Sequence, residues 1–300
     1  MALGRVTRAV TATVAVVAAV VGAFTAGVLS TGAPATDGPA GEVAASRLDE
    51  AAGRIEGESL RPVDRQALDA AAITAMLLAA DDQWGGWEPV TTGGPVTRPT
   101  SVRVERLAEP AGPVTVLTVT GFDRGTGRQV RTALAGLPTG TSGVVLDLRG
   151  NGGGLLDEAV ETASAFLDGG TIVSAVRRDG SVQTFEAVSP GDVRTPLAVL
   201  VDGGSASAAE VVAGALLDRG RGVLVGSRTF GKGTVQEPTR LSDGSVLQLT
   251  VARYATPGGH DLEGVGLQPD IEVAPGSGPD VGLQRAVAVL PGLLASAGGS

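Results

Sequence analysis

Three hundred residues with 43% hydrophobic content suffice for one large core, or for one core with a small appendage. Zero cysteines exclude a disulfide framework, a thiolate metal site, a cysteine nucleophile and iron–sulfur chemistry, and a single histidine leaves no room for a His-based metal site. A formal charge of −9 and 3% aromatic residues speak against nucleic-acid binding, which needs a basic stripe and stacking platforms.

Arg5 and Arg8 precede an uncharged apolar run from Ala9 to Leu29, so residues 1–35 read as a targeting segment. The length of the run fits a retained signal anchor. Ala33-Pro34-Ala35 has the spacing of a signal-peptidase site, so cleavage stays open as well. Either way the remainder is expected outside the cytoplasm, in a bacterial cell envelope, membrane-anchored or secreted. Residues 36–42 read as a linker, and 36–100 as linker plus a small helical segment. Two helices are expected there. The second opens near Pro62 and Asp64, carries Leu68, Ile73, Met76 and Leu77 on a broad apolar face, and stops at Asp81-Asp82. Gly85–Thr100 is rich in Gly, Pro and Thr and too short for a domain.

From 101 to about 275 the pattern changes to strands alternating with helices. Val114–Thr120 and Val144–Leu148 are β-branched strands flanking a helix near Thr126–Leu137, and Leu155–Leu167 is amphipathic. A hairpin turns at Asp179-Gly180. Leu197–Val201 is a buried strand, Ala208–Leu217 a helix and Val223–Val225 a strand, before a second hairpin at Asp243-Gly244. Strand–helix alternation interrupted by hairpins predicts a mixed α/β core. Residues 276–300 form a tail whose apolar stretch, Val281–Leu294, is left open as a docking or dimer helix.

Three loops have the composition of a site. Asp147–Leu155 runs from a strand through glycines into a helix, where backbone N–H groups suit a phosphate or an oxyanion; its glycine spacing misses the dinucleotide fingerprint. Val201–Glu210 repeats the arrangement with Ser205 and Ser207 at the helix start. Ser207-x-x-Glu210 is a capping box, and a serine there is equally well placed as a nucleophile, with the Ala208 N–H beside a tetrahedral oxyanion. Gly226–Gln236 nearly matches a phosphate-binding loop, but Gly233 follows Lys232 where a hydroxyl belongs, and Thr234–Pro238 reads as strand.

Of the 23 cationic side chains, 22 are Arg and one is Lys232. In a chain that writes Arg wherever charge suffices, the lone Lys marks a place where Arg fails. An enclosed Lys can lose its proton and act as a base, and Arg cannot. Gly231 and Gly233 permit the close packing that would enclose the amine. On a strand Lys232, Thr234 and Gln236 share a face, which places Gln236 to orient the amine. Ser with Lys is a known nucleophile–base pairing. His260, the only alternative base of its kind, lies in a polar loop.

At these loops the chain resembles the carboxy-terminal processing (tail-specific) serine peptidases. Asp147–Leu155, Gly204–Gly214, Gly226–Gln236, Ala252–Gly259 and Gly264–Ile271 match in order and spacing. The resemblance implies a caseinolytic-protease/crotonase-like ββα spiral core, with Ser207 as nucleophile, Lys232 as general base, Gln236 orienting the lysine, Glu210 supporting, and Gly153 and Ala208 as oxyanion-hole donors. It selects Ser207 over Ser205. It implies protein or peptide substrates cut near their C-termini, no metal, nucleotide or other cofactor, and no nucleic acid. A homo-oligomer, a regulatory partner and membrane attachment through an uncleaved anchor stay open. The family's PDZ domain has no counterpart between Gly85 and Ser101, and Gly150-Asn151-Gly152 replaces the usual Asn-Asn-Pro. The alternative is a non-catalytic peptide-binding or scaffold protein on the same core.

Overall fold

The structure, a computed structural model, describes residues 40–89, 101–188, 190–274 and 276–297, without the side chains of 40–46, 279–280 and 295–297. The expected targeting run lies outside the described residues. Among those described, no helix is long and apolar enough to cross a membrane.

Helices α1 (Ala40–Glu58) and α2 (Arg65–Ala79) lead into a short strand, β1 (Gly86–Glu88). Next come β2 (Val102–Leu107), β3 (Val114–Val119), α3 (Thr126–Ala135) and β4 (Gly143–Asp147). Helix α4 (Leu156–Ser164) precedes the hairpin of β5 (Thr171–Arg177) and β6 (Val182–Glu186). The chain continues through β7 (Leu197–Val201), α5 (Ala208–Asp218) and β8 (Val223–Gly226). A second hairpin, β9 (Thr234–Arg240) and β10 (Val246–Ala255), is followed by β11 (Ile271–Glu272) and α6 (Pro279–Ala297).

These elements fall into two compact units, Met1–Thr92 with Gln236–Thr250, and Gly93–Val235 with Val251–Ser300. In the first, Asp64 caps α2 by accepting the Ala67 N–H at 2.7 Å, as its place in the sequence predicts. Helix α1 starts at Ala40, so the expected linker ends before 42. The stretch read as linker from Gly85 contains β1, which pairs antiparallel with Val246–Gln248, and Trp87 Nε1 donates to Ser245 Oγ at 3.0 Å. Three residues are too few for a strand period to show in the sequence.

In the second unit a sheet runs in the order β11-β8-β7-β4-β3-β2. Neighbours from β11 to β3 are parallel, and only β2 is antiparallel to its partner. Strands β4 and β7 are buried throughout, which is why they read as unbroken apolar runs. Their alternate residues serve two cores. Val144, Leu146, Leu197 and Val199 face Val160, Val211 and Leu216 of the helices on one side. Val145, Ala198 and Leu200 face Ala286 and Leu290 of α6 on the other. Helix α6 covers its own chain's sheet. Leu290 is fully buried, worth about 1.5–3 kcal/mol, and rests so close to Gly143 that a Cβ there would lie 2.7 Å from Leu290 Cδ1. Strand β2 escapes sequence reading because Arg103 and Glu105 leave it polar on an edge.

Tyr254, the chain's only tyrosine, is buried on β10, and burial pushes its hydroxyl from 10.0 up to about 12. The raised value belongs to the folded state, so this contribution to stability is complete below pH 10 and is lost as pH climbs toward about 12. Phenolate absorbance is expected to titrate near pH 12 in the native protein and near 10 in urea. A native midpoint near 10 would mean the ring is in water.

Candidate active site

Parallel order places the ends of β4, β7 and β8 side by side, with Asp147 paired to Leu200 and Val201 to Gly226. Each strand is followed by one of the three glycine-containing loops, so residues 148–155, 202–207 and 227–232 meet at one sheet edge, the usual place for a site in such sheets. Asp202 ties the first two together by accepting the N–H groups of Gly150 and Gly204, both at 2.9 Å.

The two serines separate clearly. Ser205 is fully buried and its hydroxyl donates to the Leu148 carbonyl at 2.8 Å, so it holds the loop in place. Ser207 sits at φ 55°, ψ −117° at the N-terminus of α5. Among the described residues only Ser207 and Asp81 have positive φ without being glycine. Such a conformation costs on the order of 1–3 kcal/mol and persists only where its surroundings impose it.

Glu210 is what imposes it. Its carboxylate is fully buried and accepts four hydrogen bonds. Oε2 takes the Ser207 N–H at 3.0 Å and the Lys232 N–H at 2.8 Å, while Oε1 takes the Gly231 N–H at 2.8 Å and the Thr229 hydroxyl. One oxygen therefore joins the backbones of Ser207 and Lys232, 25 residues apart. The capping box seen in the sequence is half of this arrangement, and the other half was invisible before folding. All four neighbours are donors, so the position demands an acceptor-only side chain.

Gly153 also arrives at Ser207. With φ 109° it needs to be glycine, and a Cβ there would lie 3.1 Å from Ser207 Cβ and 3.3 Å from the Ala208 nitrogen. Its N–H donates to Asn151 Oδ1 at 2.9 Å, and its carbonyl accepts from Phe122 N at 3.0 Å. Serving an oxyanion thus requires the Asn151 bond to open. The Ala208 N–H forms no hydrogen bond among the described residues. Asn151 is a residue that sequence reasoning passed over. Fully buried, it donates from Nδ2 to the Val119 carbonyl at 2.9 Å and accepts the Ala206 N–H on its own carbonyl at 2.9 Å, binding loop to strand to serine turn. It is the only asparagine in the chain. The composition argument that singled out Lys232 would have found it.

Lys232 lies on the loop entering β9, and the chain continues from it as strand, which removes the phosphate-loop reading. Gly231 and Gly233 do pack tightly: a Cβ on Gly233 would lie 2.5 Å from Glu263 N. Lys232 as a residue is half-buried. Gln236 lies on β9 in the first unit, where Nε2 donates to Thr250 Oγ1 at 3.1 Å. His260 is exposed, with Nδ1 3.2 Å from Asp218 Oδ1 at the C-terminus of α5. That is about 15 Å along the helix from Ser207 at its start, so the two do not form a pair.

Residues 113–273 match the model of peptidase family S41. The chain belongs to peptidase family S41. The carboxyl-terminal-processing protease of Synechocystis sp. is 38% identical over 225 residues, covering 74% of this chain and 50% of that protein. The chloroplastic C-terminal processing peptidase of Tetradesmus obliquus is 47% identical over 137 residues, 45% of this chain and 30% of that one. Among solved structures, a photosystem II D1 C-terminal processing protease matches with TM-score 0.56 and 35% identity over 66% of this chain and 54% of that one. A lipoprotein from Streptococcus agalactiae, 17% identical, shares the fold at TM-score 0.58 over 82% of this chain and 96% of that one. This S41 chain spans half or less of the length of those two curated relatives. Its fold is mixed α/β of the caseinolytic-protease/crotonase-like kind, as the resemblance implies.

Replacing Glu210 by Gln turns an amide NH2 toward donors and leaves buried N–H groups unsatisfied, at about 1–3 kcal/mol each. Glu210→Gln is expected to lower the melting temperature and to cut peptide hydrolysis at least about tenfold. Unchanged melting with full hydrolysis would show that the carboxylate does not hold the two loops.

Proposed function

We propose that this S41 chain is an exported serine endopeptidase that cuts envelope proteins or peptides near their C-termini through a Ser207/Lys232 dyad. The observation that carries the reading is the shared oxygen of Glu210, which accepts from the main chains of both residues. The strained serine, with glycine at 153 against it, and the names of the relatives support the same reading. Ser207 Oγ attacks the scissile carbonyl carbon while its proton passes to the Lys232 amine. The oxyanion is met by the Ala208 N–H and, once the Asn151 bond opens, by the Gly153 N–H. Collapse breaks the C–N bond, Lys232 returns the proton to the leaving amine, and the acyl group stays as an ester on Ser207. Water then attacks that ester, giving its proton to Lys232; collapse breaks the bond to Ser207 Oγ, Lys232 returns the proton to that oxygen, and the product leaves as an acid that ionises in solution. Gln236 orients the lysine from four residues further along the same run. Export is supported by the apolar run Ala9–Leu29 behind Arg5 and Arg8.

The test is cleavage of an unfolded protein with an apolar C-terminus by the full chain. Ser207→Ala is expected to abolish cutting. Lys232→Arg, which keeps the charge and loses only the ability to be a base, is expected to lower the rate about 100- to 10,000-fold. An active Lys232→Arg enzyme would refute the dyad, and an active Ser207→Ala enzyme the nucleophile.

A further inference from the structure

The loop that brings Gly153 to Ser207 also makes an isolated parallel bridge, Phe122 with Gly154. The Phe122 N–H donates to the Gly153 carbonyl at 3.0 Å, and the Leu155 N–H donates to the Phe122 carbonyl at 2.8 Å. Phe122 is fully buried, so the bridge is anchored in the core. Glycine is what permits the approach. Gly154 sits at φ 144°, and a Cβ there would lie 2.5 Å from the Phe122 carbonyl oxygen.

The bridge decides where the main chain of Gly154 points. A trans peptide is planar, with its N–H directed opposite to its C=O. The Gly154 N–H shares a peptide with the Gly153 carbonyl, and the Gly154 carbonyl shares one with the Leu155 N–H. Both of those groups are turned toward Phe122. The N–H and carbonyl of Gly154 therefore face away from it, as on the free side of an edge strand. Neither forms a hydrogen bond among the described residues, and Gly154 is exposed. Exposed polar groups are ordinarily met by water. These two lie on the residue after Gly153, whose own Cβ would lie 3.1 Å from Ser207 Cβ, and consecutive Cα atoms are about 3.8 Å apart.

We propose that Gly154 is a substrate-binding residue, an edge one residue long that takes the substrate's main chain in extended form beside the bond to be cut. The proposal rests on the reading of Ser207 as the nucleophile. The Gly154 N–H donates to a substrate carbonyl, and the Gly154 carbonyl accepts a substrate N–H, the pattern by which an unpaired strand edge adds a peptide. Every residue carries both groups except proline, which lacks the N–H. The substrate class follows from that chemistry: extended segments whose side chains this contact does not choose, with an N–H required at the one residue that meets the Gly154 carbonyl. A helical segment, whose main-chain groups are already bonded to one another, is refused.

Substituting Gly154 would drive a Cβ into Phe122, so the test varies the peptide instead. The measurement is the assigned amide spectrum of 15N-labelled, full-length Ser207→Ala protein with and without a short unstructured peptide that has an apolar C-terminus. With peptide in saturating excess, the Gly154 amide is expected to move downfield and to exchange with solvent at least about tenfold more slowly. The same peptide is then N-methylated at one residue at a time. At one residue the methyl is expected to abolish the slowing and to weaken binding about tenfold, the size of one net hydrogen bond, while a changed side chain there does neither. A Gly154 amide that ignores the peptide, whether or not the Ala208 amide responds, would overturn the proposal. Equal tolerance of N-methylation at every residue would overturn it as well. The binding result is separate from the chemistry, because this protein carries no Ser207 hydroxyl: cutting of the peptide by Ser207→Ala would refute the nucleophile, and slowed Gly154 exchange alongside it would leave the edge in place.

Discussion

The hydrogen bonds that converge on Glu210 come from the turn at Ser207, from Thr229, and from the Gly231–Lys232 pair, so a single buried carboxylate fixes the relation between two loops that lie 25 residues apart. The geometry is possible because both loops emerge from adjacent parallel strands, β7 and β8, at their C-terminal ends. Four donors and the N-terminus of α5 are what allow an acidic group to be fully buried there. One of the four bonds comes from the N–H of Ser207, the residue at positive φ, and two come from Gly231 and Lys232, so the strained turn and the lysine loop are tied to the same carboxylate.

The first loop is held by a different device. Asn151 satisfies the Gly153 N–H, the Val119 carbonyl and, through its own carbonyl, the Ala206 N–H. The family's rigidifying proline is missing from this loop, and the buried asparagine supplies order by hydrogen bonds where a ring would supply it by restricting φ. The cost is that the Gly153 N–H, one of the two proposed oxyanion donors, is already engaged.

Much of this was legible in the amino-acid sequence. Strands β4 and β7 announce themselves because burial on both faces leaves no polar residue to blur them, and Ser207-x-x-Glu210 announces the start of α5. Lys232 stood out by composition alone. The features that stayed hidden depend on long-range contact. Edge strands β1 and β2 are short or polar, so their existence depends on partners rather than on their own pattern. The second half of the Glu210 site, the Asn151 clamp and the bond from Gln236 to Thr250 each join segments whose proximity only folding creates.

The central claim is that Ser207, placed by Glu210, becomes acylated. The direct measurement is mass spectrometry of the full-length protein mixed with a peptide ester, quenched in acid within the first turnovers, and digested. The account predicts an added acyl mass on the fragment carrying Ser207, which disappears in Ser207→Ala. An acyl group on Ser205 or any other residue, or turnover with no covalent adduct under conditions that trap esters, would contradict it.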